Sequence, residues 1–181
     1  MGKVYDCLTL EIRNWLELQK VFFVATSPLA REGHVNCSPK GSDTFRVVGE
    51  REVAYLDLTG SGIETTAHLQ ENGRIVIMFC TFAGPPKIIR LQGRGEVVYP
   101  SDRDFERLQT GFADHAGVRG IVRVFLTRIS DSCGHGVPVM DFVEHRHLIE
   151  KWATAKGPEG MGEYRKVNNS VSIDGIPGYK I

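Results

Sequence analysis

Residues 55–79, YLDLTGSGIETTAHLQENGRIVIMF, constrain the fold of this chain more than any other stretch. A strand-like run at residues 53–58 leads through the turn Thr59-Gly60-Ser61-Gly62 into a short helical pattern, and a second strand-like run follows. Ser61 and Glu64 fit a capping box, which predicts a helix with Ser61 as its N-cap. The open amides of a helix start favour an anion such as a phosphate, although an ordinary capped connection without a ligand fits the same pattern.

Runs of β-branched and aromatic residues predict strands along most of the chain. They lie at residues 21–26, 34–38, 45–48, 53–58, 74–81, 88–99 and 121–129. Pro39 cannot donate to a ladder, so residues 38–41 are expected to leave the sheet. Hairpin-like succession of strands with only short helices between them predicts a mainly β fold, a closed antiparallel barrel, in one domain of residues 1–181.

Several short helices are expected between and after these strands. Leu8, Ile12, Trp15 and Leu16 recur at helical spacing, and Asn72-Gly73 suits the end of the helix that follows the glycine turn. Further helices are predicted from residue 101, at residues 147–155 and at residues 158–164. The last residues, NNSVSIDGIPGYKI, are polar and are expected to cross the surface as an extended strap.

The composition excludes several classes of protein. Lys plus Arg and Asp plus Glu both number 22, so nothing in the net charge points to nucleic acid or to an anionic membrane surface. The chain has no apolar stretch of the roughly 20 residues that span a bilayer. It also lacks a signal-peptide pattern, and a cytoplasmic location is expected. The four cysteines form no CxxC pair and the six histidines are dispersed, which predicts free thiols and no metal site.

Polar residues near the turns are the candidate ligand-binding groups. Lys40, at the end of a strand, can neutralise a phosphate or stabilise negative charge on a ring, although a solvated turn lysine is the commoner case. Ser38 can donate to a ligand carbonyl or simply cap the turn. Gln92, beside Gly93, can bond the edge of a ring, and an outward-facing glutamine fits the pattern equally well. Hydroxyls around the anion site come from Thr59, Ser61, Thr65 and Thr66. Neither a dinucleotide fingerprint nor a P-loop is present.

Together these segments resemble the FMN-binding split-barrel superfamily that includes pyridoxamine 5'-phosphate oxidase. The resemblance covers residues 21–99 and is carried by VFFVATS, VNCSPKG, residues 53–79 and IIRLQGRGEVV, while SCGHGVP and SIDGIPG resemble a less characterised branch. It implies an antiparallel split β-barrel, a homodimer, and FMN bound in a cleft between the subunits. The cofactor-binding residues that it implies are Ser38, Pro39, Lys40, Thr59, Gly60, Ser61, Gly62, Glu64, Thr65 and Gln92.

The chain departs from the oxidase at two places. Thr65-Thr66 stand where the oxidase has a basic pair before Ala67-His68, so a phosphate would depend on amides, hydroxyls and Lys40, with Arg90 or Arg94. The tail lacks the Arg-x-His segment that holds the oxidase's substrate, and pyridoxamine phosphate is therefore not the expected substrate.

The resemblance implies an FMN-dependent oxidoreductase that moves a hydride between a small substrate or a nicotinamide and the flavin. No residue is singled out as catalytic. Three alternatives stay open: a non-enzymatic flavin carrier or redox sensor, the same fold binding deazaflavin or haem, and an interaction protein without a cofactor. Haem would need an axial ligand, for which His34, His68 and His135 are generic candidates.

Overall fold

The computed structural model describes residues 2–179. The strands are β1 (Val4–Tyr5), β2 (Phe22–Thr26), β3 (Asn36–Lys40), β4 (Phe45–Gly49), β5 (Glu52–Leu58), β6 (Arg74–Cys80), β7 (Ile88–Val98) and β8 (Val118–Ser132). The helices are α1 (Leu10–Leu18), α2 (Glu64–Asn72), α3 (Phe105–Gln109) and α4 (Leu148–Asn168). The prediction of a mainly β chain with short helices is confirmed, and each predicted strand overlaps an observed one.

All strand pairs are antiparallel, and they form one sheet in the order β3-β2-β6-β7-β8-β5-β4, with β1 on β8. The described residues include no ladder between β3 and β4, so the sheet is open and the prediction of a closed barrel is wrong. Pro39 in β3 lacks the amide hydrogen that a continuous further ladder would need.

The expectation that residues 38–41 leave the sheet is also wrong. Residues 36–40 form β3 and pair with β2, and Pro39 lies opposite Phe23. Because β3 is an edge strand, a proline whose nitrogen faces the free edge removes no hydrogen bond from the β2–β3 ladder.

An aromatic cluster fills one end of the core. Phe22 contacts Phe79, Tyr55 and Phe45 with ring centroids 5.4, 5.6 and 5.5 Å apart. Tyr55 is fully buried, and Phe22 and Phe79 are almost so. Burial of one such side chain stabilises the fold by about 1.5–3 kcal/mol, so this cluster fixes β2, β5 and β6 relative to one another.

The helices mostly lie where the sequence predicts them. α1 buries Ile12 and Leu16, α3 buries Phe105 and Leu108, and α2 ends at Gly73, whose φ of 68° is typical of a helix C-terminus. The two predicted C-terminal helices are joined as α4 through a kink at Gly157. No helix within residues 2–179 has the length and apolar content that crossing a membrane requires. The cysteines are free thiols, as predicted.

Candidate functional site

β3 presents a row of polar side chains to the interior of the sheet. Cross-strand partners project on the same side of a sheet, and the partners of Asn36, Ser38 and Lys40 in β2 are buried. Those partners are Thr26, Val24 and Phe22. The row therefore faces inward, toward β5 and α2. We call the space between this row and residues 55–65 the split.

Asn36 connects the two sides of the split. Its side-chain amide donates to the Thr65 hydroxyl of α2 at 2.9 Å, and it accepts a hydrogen bond from the Ser38 hydroxyl at 3.2 Å. The structure thus joins two predicted site residues, Ser38 and Thr65, through a residue that sequence reasoning missed. The alternation of polar residues at positions 36, 38 and 40 was the available signal, since alternate residues share one face of a strand.

Lys40 ends the row. Its ammonium lies 5.7 Å from the centre of the Tyr55 ring, and no carboxylate among residues 2–179 comes within salt-bridge distance of it. Burial lowers the pKa of Lys40, an effect that the Asp57 carboxylate opposes and the Arg119 guanidinium reinforces. A partly buried ammonium without an acidic partner can bind an anion, because the anion replaces lost hydration.

A buried ion pair supports the β5 side of the split. Arg119 donates to both carboxylate oxygens of Asp57, at 2.7 and 3.1 Å. Burial alone would raise the pKa of Asp57, but Arg119 outweighs it and holds this pKa below its ordinary value. Asp57 therefore stays ionised, and with Arg119 it keeps residues 55–62 in place near Lys40.

The glycine turn does not form the predicted capping box. α2 begins at Glu64 with Ile63 as its N-cap, and no side chain caps the helix. Ser61 is exposed, and the Glu64 carboxylate accepts a hydrogen bond from the backbone amide of Ile173. The physical reason is competition, because a distant segment takes the carboxylate that a local capping box would use.

That segment is the C-terminal strap, residues 169–179. The Asn169 side chain donates to the Gly60 carbonyl at 3.1 Å and accepts from Arg119 at 2.9 Å. Asp174 bonds the His34 ring and backbone at 2.7 and 2.9 Å, on the β3 side. The strap therefore crosses the split from the glycine turn to the segment before β3. The predicted strap is present, although Asn169 is fully buried instead of superficial.

The remaining predicted cofactor residues are not all brought together. Thr59 is buried, and its hydroxyl accepts from Arg165 of α4 at 2.9 Å. Gly60 and Gly62 direct their carbonyls to Asn169 and Arg119. Pro39 alternates with the inward row and so lies on the outer face of the sheet. Gln92 pairs with Val76, which pairs with Ala25, and this row also lies on the outer face, away from Lys40.

Other residues considered from the sequence are engaged elsewhere. Arg90 donates to the Ser132 hydroxyl at 2.9 Å, and Arg94 donates to the Asn72 carbonyl. Of the histidines considered as haem ligands, His68 is buried and bonded through Nδ1 to Thr26, and His135 is exposed. No group of three potential metal ligands exists within the described part of the chain.

Within residues 2–179, three buried polar side-chain atoms near the split have no hydrogen-bond partner. They are the Tyr55 hydroxyl, the Thr66 hydroxyl and the His68 Nε2. Tyr55 belongs to β5 beneath Lys40, and the other two belong to the first turns of α2. Buried polar groups usually have partners, so each of these atoms is a candidate for a hydrogen bond to a ligand or to water.

Residues 8–128 match the sequence model of the family described as pyridoxamine 5'-phosphate oxidase. The chain belongs to this family. It is 36% identical over 191 residues to the pyridoxamine 5'-phosphate oxidase family protein ustO of Aspergillus flavus, an alignment that covers 96% of the chain and 76% of ustO. α4 and the strap lie beyond the family match.

Solved structures of the same fold share little sequence with this family member. HupZ of Group A Streptococcus is 20% identical with a TM-score of 0.55, and the match covers 73% of this chain and 98% of HupZ. A Lactobacillus delbrueckii protein of the pyridoxamine 5'-phosphate oxidase type is 15% identical with a TM-score of 0.53, over 70% and 98% of the two chains. The split-barrel fold expected from the sequence is thereby confirmed.

Proposed function

We propose that this protein is an FMN-dependent oxidoreductase that moves a hydride between a small substrate or a nicotinamide and the flavin. The observation that carries the proposal is the position of Lys40, an ammonium without an acidic partner that ends an inward polar row at the split. Family membership supplies the class of cofactor, and the lysine supplies a charge for its anionic part.

The residues at the split fit a flavin phosphate and ring. The first-turn amides of α2 have no partner within the helix, and the adjacent Thr66 hydroxyl is unsatisfied. The Asn36 amide and the Ser38 hydroxyl can bond the polar edge of the flavin ring, and Lys40 supplies positive charge for an anionic group. When bound, FMN supplies the hydride chemistry, and the protein orients the cofactor and limits access of water. The strap covers one end of the split and contributes to that exclusion.

The first experiment is an absorption spectrum of the purified protein, with heat release and mass identification of any chromophore. FMN is the expected chromophore. Lys40→Ala should weaken FMN binding about tenfold, since charge-assisted contacts contribute more than neutral ones. Lys166→Ala is the matched control, because Lys166 is exposed and pairs with Glu163. A protein that neither carries nor binds FMN would overturn the proposal.

Electron transfer is tested separately by adding NADH or NADPH to the FMN-loaded protein without oxygen. The expected result is loss of the oxidised flavin spectrum with one of the two nicotinamides. FMN binding with no reduction by any nicotinamide or small reductant would leave a flavin carrier and contradict the enzymatic proposal. Oxygen is then readmitted to measure whether it returns the flavin to its oxidised form.

We also propose a cytoplasmic homodimer. Val139 and Val143 are 84% and 88% exposed, and apolar side chains so exposed are typical of interaction surfaces when they cluster. Val143→Lys should shift the protein from dimer to monomer in sedimentation, whereas Val167→Lys, at an α4 valine that is 75% exposed, should not. Four free thiols agree with a reducing compartment.

A further inference from the structure

A cavity lies against the outer face of β2 and β3 and reaches Lys40 at the end of β3. It has a volume of about 970 Å³ and lies between this outer face, the end of α1, residues 81–87 and residues 140–146. We call it the outer cleft. Of the inward row, Lys40 lines the cleft, whereas Asn36 and Ser38 do not.

Flat apolar groups form most of the cleft surface. Phe23 and Pro39, a cross-strand pair on the outer face, form the floor. Pro85, Pro86 and Phe142 also line the cleft. Aromatic rings and prolines around a cavity favour a planar apolar group, which gains contact on its faces.

The wall that carries Phe142 has no regular secondary structure, yet it is fixed at both ends. The Met140 amide donates to the Phe82 carbonyl at 2.9 Å, and His145 Nδ1 accepts from the Ser42 amide at 3.3 Å. The rings of Phe142 and His145 are in edge contact, with centroids 4.9 Å apart. This wall lies outside residues 8–128, the part that matches the family. It therefore belongs to the C-terminal region that follows the family match.

Lys20 contributes unneutralised positive charge to the cleft. The Lys20 ammonium lies 5.9 Å from the centre of the Phe142 ring, and within residues 2–179 it has no carboxylate at salt-bridge distance. Lys87, by contrast, has Glu11 at 3.9 Å. The charged side chains that line the cleft are Lys20, Lys40, Lys87, Arg146, Asp141 and Glu144. Basic groups outnumber acidic ones, and Lys20 stands beside the aromatic wall.

We propose that the outer cleft binds a planar aromatic acid, with its ring between Phe142 and the Phe23–Pro39 floor and its anionic group at Lys20. The site borders the split at Lys40 but places its ligand on the opposite face of β3, and the proposal does not require FMN to bind in the split. A ligand of this class satisfies both halves of the cleft, because its ring covers the apolar walls and its charge neutralises the ammonium.

The test measures fluorescence of anilinonaphthalene sulfonate, a planar aromatic anion, on the full chain. Its uncharged relative N-phenylnaphthylamine serves as the second probe. Lys20→Gln should weaken the sulfonate about tenfold and leave the uncharged probe unchanged, since one partly desolvated ion pair is lost. Phe142→Ala should weaken both probes about tenfold, because both lose the same ring contact. Lys166→Gln and Phe125→Ala, which change an exposed lysine and phenylalanine elsewhere, should bind both probes like the wild type.

Three results would overturn the proposal. Equal effects of Lys20→Gln on the two probes would show that no charge is recognised. Displacement of the sulfonate by stoichiometric FMN would make the outer cleft the flavin's own site. No probe binding by a dimer, with binding restored in Val143→Lys, would make a second copy the occupant of the cleft. The two proposals can fail separately. If the protein binds the probes but not FMN, the oxidoreductase proposal is contradicted and the outer-cleft proposal is supported.

Discussion

The side chain of Asn169 joins the last residues of α4 to the carbonyl of Gly60, more than half the chain away. The amide donates to this carbonyl at 3.1 Å, and its oxygen accepts from Arg119 at 2.9 Å. One fully buried residue thus holds the glycine turn and the buried Asp57–Arg119 pair together.

Asn169→Ala should lower the free energy of unfolding by about 2–3 kcal/mol, because it leaves buried hydrogen-bonding groups without a partner. Urea denaturation followed by circular dichroism measures this change. Asn168→Ala is the matched control, since Asn168 is exposed and bonds only the Tyr164 carbonyl within its own helix, and it should cost less than about 0.5 kcal/mol. Equal losses in the two variants would contradict the role assigned to Asn169.

Arg119→Met should destabilise the protein by about 3–5 kcal/mol, because it leaves the Asp57 carboxylate buried and unpaired. Arg123→Met, in the same strand, should cost about 1 kcal/mol or less, since Arg123 pairs with partly exposed acids. Without Arg119, burial raises the pKa of Asp57. The deficit of the variant should therefore shrink as the pH falls and the carboxyl becomes neutral. A deficit that grows at acid pH would contradict this account.

A hydrogen bond between Tyr5 and Asp131 joins β1 to β8. Its contribution to stability is expected to be lost at both alkaline and acid pH. The Tyr5 hydroxyl donates to Asp131 at 2.5 Å, and this bond, with burial and the nearby carboxylate, raises the pKa of Tyr5 to about 12. The same bond lowers the pKa of Asp131. The tyrosine contribution is complete below the unfolded pKa of about 10 and is lost as the pH rises through 12. The aspartate contribution is present above about pH 4 and is lost as the pH falls through the lowered folded pKa.

The measurement is the pH dependence of the unfolding free energy for wild type and Tyr5→Phe. The difference in unfolding free energy between wild type and Tyr5→Phe should disappear between pH 10 and about 12, where Tyr5 ionises in the folded state. An absorbance titration of tyrosinate should show one fewer late-titrating group in the variant. An unchanged difference across this alkaline range would contradict the assigned hydrogen bond.

Gly93→Ala should destabilise the protein by about 1–3 kcal/mol or more, because overpacking shifts the backbone. A Cβ at Gly93 would overlap the Phe125 carbonyl oxygen, at the bulge between β7 and β8. Gly136→Ala is the control, since a Cβ at that position would meet no other atom within 4 Å. Thermal unfolding of both variants measures the difference, and a stable Gly93→Ala would show that β8 shifts without cost.

The strands and the end of α2 could be predicted because their signals are local. Continuous apolar runs marked β5 and β6, and Asn72-Gly73 marked the end of α2, where Gly73 adopts positive φ. The end of β3 was missed because Pro39 was expected to break the sheet, whereas β3 lies at an edge, where a proline is tolerated.

The start of α2 could not be predicted, because distant residues determine it. The carboxylate of Glu64 bonds Ile173, and Asn169 takes the carbonyl of Gly60, so the turn does not follow its local sequence pattern. The candidate site likewise combines residues with a local sequence signal and contacts that depend on distant residues. The sequence pointed to Ser38, Lys40 and Thr65, but the linking role of Asn36 depends on the approach of β3 to α2.

Pro39 has a consequence for the behaviour of this protein at high concentration. An unpaired strand edge offers backbone donors and acceptors on which a strand of another molecule can add, and repeated addition grows a fibril. The proline removes one donor from β3, and the irregular register between Val47 and Gly49 bends β4, so neither edge is a continuous template. The open sheet is thereby protected from growing end to end into fibres.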